Sequence, residues 1–255
     1  MSQPTPTRLE LMSFPLDPVT LLGAVKLLES WIVERGTHTV ITINPEIIVQ
    51  AETDPALASV IRKANLVTAD GVGIVWAAQT LLGVKLPARV TGVDITLKLL
   101  ERGGRNLRVF YLGGKPGVAE SAAQRMLAQY GTITVGAQHG YFKHDGLEDR
   151  RIAERVRDAQ PHVLLTGLGA GLQEGFNERF RDLMGIPVAI GVGGTLDVLS
   201  GAVERAPEWT SKLGVEWVWR VAGDRRRWGR APRLAKFVQR VMQKKSATRR
   251  TRAGK

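Results

Sequence analysis

The chain has 255 residues, 44% of them hydrophobic, no cysteine and a formal net charge of +12. That length and apolar content suit one large α/β domain, with or without an appendage, and the lack of Cys excludes a disulfide framework or a thiolate metal site. The charge is confined to one end: residues 220–255 hold 14 Lys and Arg against one acid, Asp224, whereas residues 1–219 hold 22 basic and 23 acidic residues. A near-neutral body with a basic tail implies a polyanionic partner, either a membrane surface or a nucleic acid.

The first eleven residues are polar, with Pro4 and Pro6, and lack the apolar stretch of a signal peptide. No run of about 18 apolar residues predicts a transmembrane helix. A cytoplasmic protein with at most peripheral membrane contact is the expectation. Leu21, Leu22, Val25, Leu27, Leu28 and Ile32 predict a helix over 17–35, ended by Gly36. A β-branched strand follows over 37–43, and Pro45 opens a helix at its first turn. A short helix runs from Asp54-Pro55 to Ala64, a strand over 66–69, and helices over 71–82 and 91–102.

From Leu107 strands and helices alternate plainly. Strands are predicted over 107–112, 132–137, 162–167 and 187–192. The intervening helices run to Tyr130, over 149–160 and to Met184. Alternation with Val/Ile/Leu-rich strands predicts an α/β fold: a Rossmann-like, mostly parallel sheet with helices on both faces. The expected organisation is a core over 1–205, a basic helical C-terminal appendage over 206–243 and a disordered basic tail over 244–255.

In such sheets ligands bind beyond the C-terminal ends of the strands. Five sequence features fall there. Thr42-Ile43-Asn44-Pro45-Glu46 offers Thr42 and Asn44 to a sugar hydroxyl or phosphate, although Asn44 before Pro45 is equally a helix cap. In Thr68-Ala69-Asp70-Gly71, Asp70 is a general base or a ribose ligand by position, or again a cap. Gly113-Gly114-Lys115-Pro116-Gly117, Gly167-Leu168-Gly169-Ala170-Gly171 and Gly191-Val192-Gly193-Gly194 are glycine turns between strand and helix. Such turns cradle phosphate with backbone N–H groups, or serve the chain reversal alone. Together they favour an anionic small-molecule ligand. The four histidines, His38, His139, His144 and His162, lack metal-ligand spacing. His139 reads as a hydrogen-bonded structural residue. No Asp-x-Asp, no Gly-x-Ser-x-Gly and no strict dinucleotide fingerprint occurs, which argues against a hydrolase elbow and a dehydrogenase. No metal and no cofactor is expected.

These motifs, with Arg89-Val90-Thr91-Gly92-Val93-Asp94, His139-Gly140-Tyr141-Phe142, Gln173-Glu174, Arg205-Ala206-Pro207 and Glu216-Trp217, stand in one order and spacing. Over about residues 8–240 the chain resembles the WecG/TagA/CpsF glycosyltransferases. The resemblance implies an inverting, metal-independent transfer of a sugar from a UDP-sugar donor to an undecaprenyl-diphosphate-linked acceptor on the inner membrane face. Products of the family include teichoic acid linkage units, enterobacterial common antigen, exopolysaccharide and capsule. It implies Asp70 as general base, with Thr42 and Asn44 beside it to orient the sugars. Arg89, Gln173, Gly113, Gly114, Lys115, Gly169 and Gly193 would bind substrate. Arg220, Arg227 and Arg230, in an appendage that closes over the site, would neutralise diphosphate charge. The family usually has Gly-Ala-Pro-Lys-Gln-Glu where this chain has Gly169-Ala170-Gly171-Leu172-Gln173-Glu174, which leaves the donor sugar, N-acetylmannosamine or a related hexose derivative, open.

In the tail, apolar residues from Leu213 to Val241 alternate with Arg and Lys, a pattern for an amphipathic helix on an anionic bilayer or docked on the site. A nucleic-acid partner is not expected, since no base-reading platform is apparent. A homo-oligomer is possible. The alternative reading is a non-catalytic nucleotide-binding protein whose tail binds nucleic acid or membrane.

Overall fold

The computed structural model describes residues 7–204 and 231–253. The chain opens on a hairpin of β1 (Leu9–Leu11) and β2 (Phe14–Leu16), paired Leu9 to Leu16 and Leu11 to Phe14. Met12 and Ser13 make the turn, both at positive φ. Met12 is buried, so tertiary packing holds a conformation that Gly or Asn usually adopts. Buried Asp17 pins the hairpin to the sheet: it accepts from Arg8 Nε at 2.7 Å and from the Val67 amide at 2.7 Å.

The helix α1 (Leu21–Glu34) is capped by Thr20 and ends at Arg35, whose αL conformation does the work expected of Gly36. Then come β3 (His38–Ile43), α2 (Pro45–Ala51), α3 (Pro55–Lys63), β4 (Leu66–Ala69), α4 (Val72–Leu82) and α5 (Gly92–Gly103). The second half holds β5 (Arg108–Gly113), α6 (Val118–Tyr130), β6 (Ile133–Gln138), α7 (Leu147–Ala159) and β7 (Val163–Gly167). It closes with α8 (Leu172–Arg179), α9 (Arg181–Met184), β8 (Val188–Gly191) and α10 (Thr195–Ser200). The single helix expected to reach Met184 is broken at Phe180, whose ring is buried 5.2 Å from that of Phe176.

Six strands form one sheet in the order β4-β3-β8-β7-β5-β6, and every neighbouring pair is parallel. Alternate residues of each strand serve opposite faces. Val40, Val109, Tyr111, Val163, Leu165 and Ile190 pack with α1, α5, α6 and α10. On the other face Ile41, Ile43 and Val67 pack with α2, α3 and α4, and Phe110, Leu112, Leu164 and Ala189 with α7, α8 and α9. The Rossmann-like α/β fold is therefore the one present.

The last described element, α11 (Ala231–Ala253), lies on this second face. Phe237 and Val241 are fully buried in the same cluster as α2 and α4, and Arg233 and Arg240 pair with Glu46 and Glu52 of the α2 region. The helix crosses residue 244, where a disordered tail was expected; its Ala, Lys, Arg, Gln and Met have high helix propensity. Among the described residues no helix is long and apolar enough to cross a membrane.

Candidate active site

Parallel pairing sends the C-terminal ends of all six strands to one edge of the sheet. The last strand in sequence, β8, inserts between β3 and β7; the chain leaves β3 and β7 toward α2 and α8 on one face and leaves β8 toward α10 on the other, so the connections part there and open a crevice. The cleft there encloses about 530 Å³, within the range of small-molecule sites.

Most of the predicted residues meet in this cleft. Thr42, Asn44, Asp70, Gly114, Lys115, Gly169, Gln173 and Gly193 all line it. Arg89 and Gly113 do not. Arg89 is half-buried in the segment between α4 and α5. Gly113 is buried at the end of β5 with φ 138°, and a Cβ there would stand 2.3 Å from the Gly167 carbonyl oxygen. Its glycine permits strand ends to approach, and it presents nothing to a ligand. Arg220, Arg227 and Arg230 lie outside the described residues.

The capping alternatives resolve differently at the two candidate positions. Asn44 caps α2, accepting from the Ile47 amide at 3.0 Å through Oδ1; its Nδ2 donors remain for the cleft. Asp70 is not a cap. The N-cap of α4 is Gly71, at φ 99°, with no side-chain cap hydrogen bond. The amide of the half-buried Asp70 donates to Ile43 O at 2.8 Å and ties the ends of β4 and β3 together. Buried Thr42 donates to Gly191 O at 3.4 Å. Gly92, the first residue of α5, brings that helix start against Thr42 Oγ1 and Thr195 Oγ1.

Gln173 and Glu174 form a buried relay in the wall of the cleft. Glu174 accepts from Gln173 Nε2 at 2.8 Å and from the Gly171 amide at 2.7 Å. Gln173 Oε1 accepts in turn from the Gly193 amide at 3.0 Å. The relay joins the β7 and β8 loops. Burial pushes the Glu174 carboxyl above its ordinary range, opposed by these hydrogen bonds. Gln173, 3% exposed, positions Gly193 with its amide.

The cleft also contains residues to which the sequence reading gave no individual role: Thr91, Tyr141, His144, Thr195, Asp197 and Glu204. His139 is outside the lining, and its Nδ1 accepts from the Tyr141 amide at 3.2 Å, in keeping with a structural histidine. Among the described residues no group of three or more His, Asp or Glu could hold a metal ion.

A doubly wound sheet with a polar, glycine-walled crevice at its strand ends, carrying Asp70 at one strand end and the exposed Lys115 beyond another, defines an α/β protein with a small-molecule site. Comparison with known proteins gives the particular class. The model of the "Glycosyl transferase WecG/TagA/CpsF family" matches residues 9–251, and the chain belongs to that family. An N-acetylglucosaminyldiphosphoundecaprenol N-acetyl-beta-D-mannosaminyltransferase of Bacillus spizizenii is 31% identical over 211 residues, 82% of this chain and 80% of that protein. The protein of the same description from Staphylococcus aureus is 30% identical over 241 residues, 93% of each chain.

Proposed function

We propose that this chain transfers a sugar, N-acetylmannosamine or a related hexose derivative, from a UDP-sugar to an undecaprenyl-diphosphate-linked sugar, inverting the anomeric centre without a metal. The names of its relatives support the lipid-linked acceptor. The observation that carries the mechanism is Asp70: it stands in the cleft on a strand end and does not cap the helix that follows it. Asp70 takes the proton of the acceptor hydroxyl as that oxygen attacks the anomeric carbon. The bond from that carbon to the donor's β-phosphate oxygen breaks, and its electron pair leaves with UDP. Thr42 and the Asn44 amide orient the reacting sugars. Lys115 and the Gly114, Gly169 and Gly193 loops receive the diphosphate, whose growing charge calls for cationic or N–H partners. Arg220, Arg227 and Arg230 help neutralise that charge from the basic segment, which also holds the protein on an anionic inner-membrane surface.

The test is UDP release from a panel of UDP-sugars with an undecaprenyl-diphosphate-GlcNAc analogue and EDTA. Wild type should turn over one donor. Asp70→Asn should lose at least about 100-fold in kcat while binding UDP as wild type does. Turnover by Asp70→Asn at the wild-type rate would remove the general base from this reading, and loss of wild-type turnover in EDTA would remove metal independence.

A further inference from the structure

We propose that His144 is a further substrate-contacting residue, whose Nε2 donates to a diphosphate oxygen while Asp149 holds Nδ1. The inference rests on the transferase reading above. His144 lies between β6 and α7 and lines the cleft together with Lys115. The two come from adjacent strand ends, whose loops are tied by the Gly140 amide donating to Gly114 O at 2.9 Å. Lys115 and His144 thus flank the same side of the crevice, opposite the β3–β4 side that carries Thr42, Asn44 and Asp70.

The imidazole is held in one orientation. Nδ1 stands 3.0 Å from Asp149 Oδ1, and the ring packs 4.4 Å from Phe142. Asp149 is itself fixed: its side chain is 4% exposed, its Oδ2 accepts from the Gly146 amide at 3.1 Å, and Arg179 Nη1 is 3.5 Å from that oxygen. A carboxylate only accepts, so Nδ1 carries a proton and Nε2 is the nitrogen left over. Nε2 has no partner among the described residues. A doubly protonated ring donates from both nitrogens, from Nδ1 to Asp149 and from Nε2 to an anionic oxygen arriving there. A carboxylate-backed histidine beside a lysine is a donor pair suited to the charge that gathers on a departing diphosphate. Two diphosphates belong to the reaction, the donor nucleotide's and the acceptor lipid's, and both present this chemistry.

The bland role for His144 is to satisfy the buried Asp149, and two substitutions separate it from the proposed one. In His144→Asn the new Nδ2 takes the place of the ring Nδ1, so the Asp149 bond persists while the cleft-facing donor is lost. In His144→Gln the new Nε2 reaches toward the cleft and the Asp149 bond is lost. The full-length protein is titrated calorimetrically with UDP and with uridine, and KM for the lipid-linked acceptor analogue is measured. His144→Asn should keep the wild-type melting temperature and uridine affinity but lose UDP affinity by roughly 10- to 100-fold, the worth of one charge-assisted hydrogen bond. His144→Gln should bind UDP more tightly than His144→Asn. A matching rise in acceptor KM with UDP affinity unchanged also supports the contact and assigns it to the lipid's diphosphate. If UDP affinity and acceptor KM are both unchanged in His144→Asn, the inference is overturned. It is overturned as well if His144→Gln is the weaker binder. A wild-type chain that neither binds UDP nor transfers sugar overturns the transferase reading itself, and this inference with it.

Discussion

The attachment of α11 can be tested at one residue, Phe237. Along that helix Leu234, Phe237 and Val241 form the inward stripe; Leu234 is half-buried and the other two are fully buried. Burying two such side chains stabilises docking by about 3–6 kcal/mol. The ion pairs of Arg233 with Glu46 and Arg240 with Glu52 join side chains 49% and 46% exposed on the arginine side, and pairs of that kind contribute only about 0–1 kcal/mol each. Phe237→Ala removes about 3–5 kcal/mol when the cavity stays open, which is most of what holds the helix. The expected outcome is detachment of α11 with the body intact. Hydrogen exchange should accelerate over 231–243, amides of 7–204 should keep their protection, and the melting temperature should shift by no more than a few degrees. Because α2 carries Asn44 at its start and Glu46 in the cleft, sugar transfer should also slow. Arg233→Ala should change exchange little. The reasoning is refuted if α11 amides stay protected while the whole domain loses roughly 10 °C, the shift that 3–5 kcal/mol produces in a domain of this size; α11 would then be an integral part of the core.

Gly113→Ala puts a Cβ 2.3 Å from the Gly167 oxygen at φ 138°, so overpacking and backbone strain together should cost at least about 2 kcal/mol and lower the melting temperature by roughly 4–8 °C; an unchanged melting curve would mean that the strand ends yield freely. Burial holds the Glu174 carboxyl above its unfolded value of 4.5, so the folded state keeps the proton longer and stability falls as pH rises through the window between the two values. Glu174→Gln loses an acceptor and is less stable than wild type at low pH, but its deficit should shrink as pH rises; melting curves separated by a constant gap would count against a buried titrating group. Burial, then the charges of Arg108 and Arg35, lower the His162 pKa from 6.5. The unfolded chain therefore binds that proton first, and stability should drop as pH falls below about 6.5. His162→Asn, whose Oδ1 can still accept from the Arg108 amide in place of Nδ1, should flatten that drop, and an unaltered acid limb would show that another group sets it.

Most of the architecture was legible because a buried parallel sheet writes itself as apolar runs separated by helix-period segments, and each predicted strand from β3 to β8 formed within a residue or two of its expected bounds. The hairpin of β1 and β2 escaped because its strands are three residues long and its turn, Met12-Ser13, carries none of the Gly or Asn that signals positive φ. The break at Phe180 escaped for a related reason: nothing local marks it, and a buried aromatic contact accompanies it. At the site, strand–glycine–helix punctuation led to the right loops but could not sort one glycine from another. Gly114 faces the cleft, whereas its neighbour Gly113 faces a strand. The motif Gln173-Glu174 drew attention to Gln173 as a ligand contact; the structure shows both ends of its amide engaged, one by a buried carboxylate and one by the Gly193 amide. His144 had no local sign, since its partner is five residues away and its neighbour in the cleft, Lys115, is on another strand.

The cleft divides the chemistry between the two halves of the sheet. The β3–β4 ends hold Asp70, Thr42 and Asn44, and the β5–β6 ends hold Lys115 and His144. The glycine loops after β7 and β8 stand between them, locked to each other by the Glu174–Gln173–Gly193 relay. Inverting transfer needs this separation, since the proton is taken from the attacking oxygen on one face of the sugar while the phosphate leaves from the other. The basic helix α11 is fastened to α2, on the carboxylate side. A force applied to that helix by an anionic surface would therefore act first on the β3–β4 side, which on the proposed mechanism carries the base, Asp70. Detaching α11 should on this argument impair turnover more than nucleotide affinity, and the Phe237→Ala protein measured for both quantities provides the comparison.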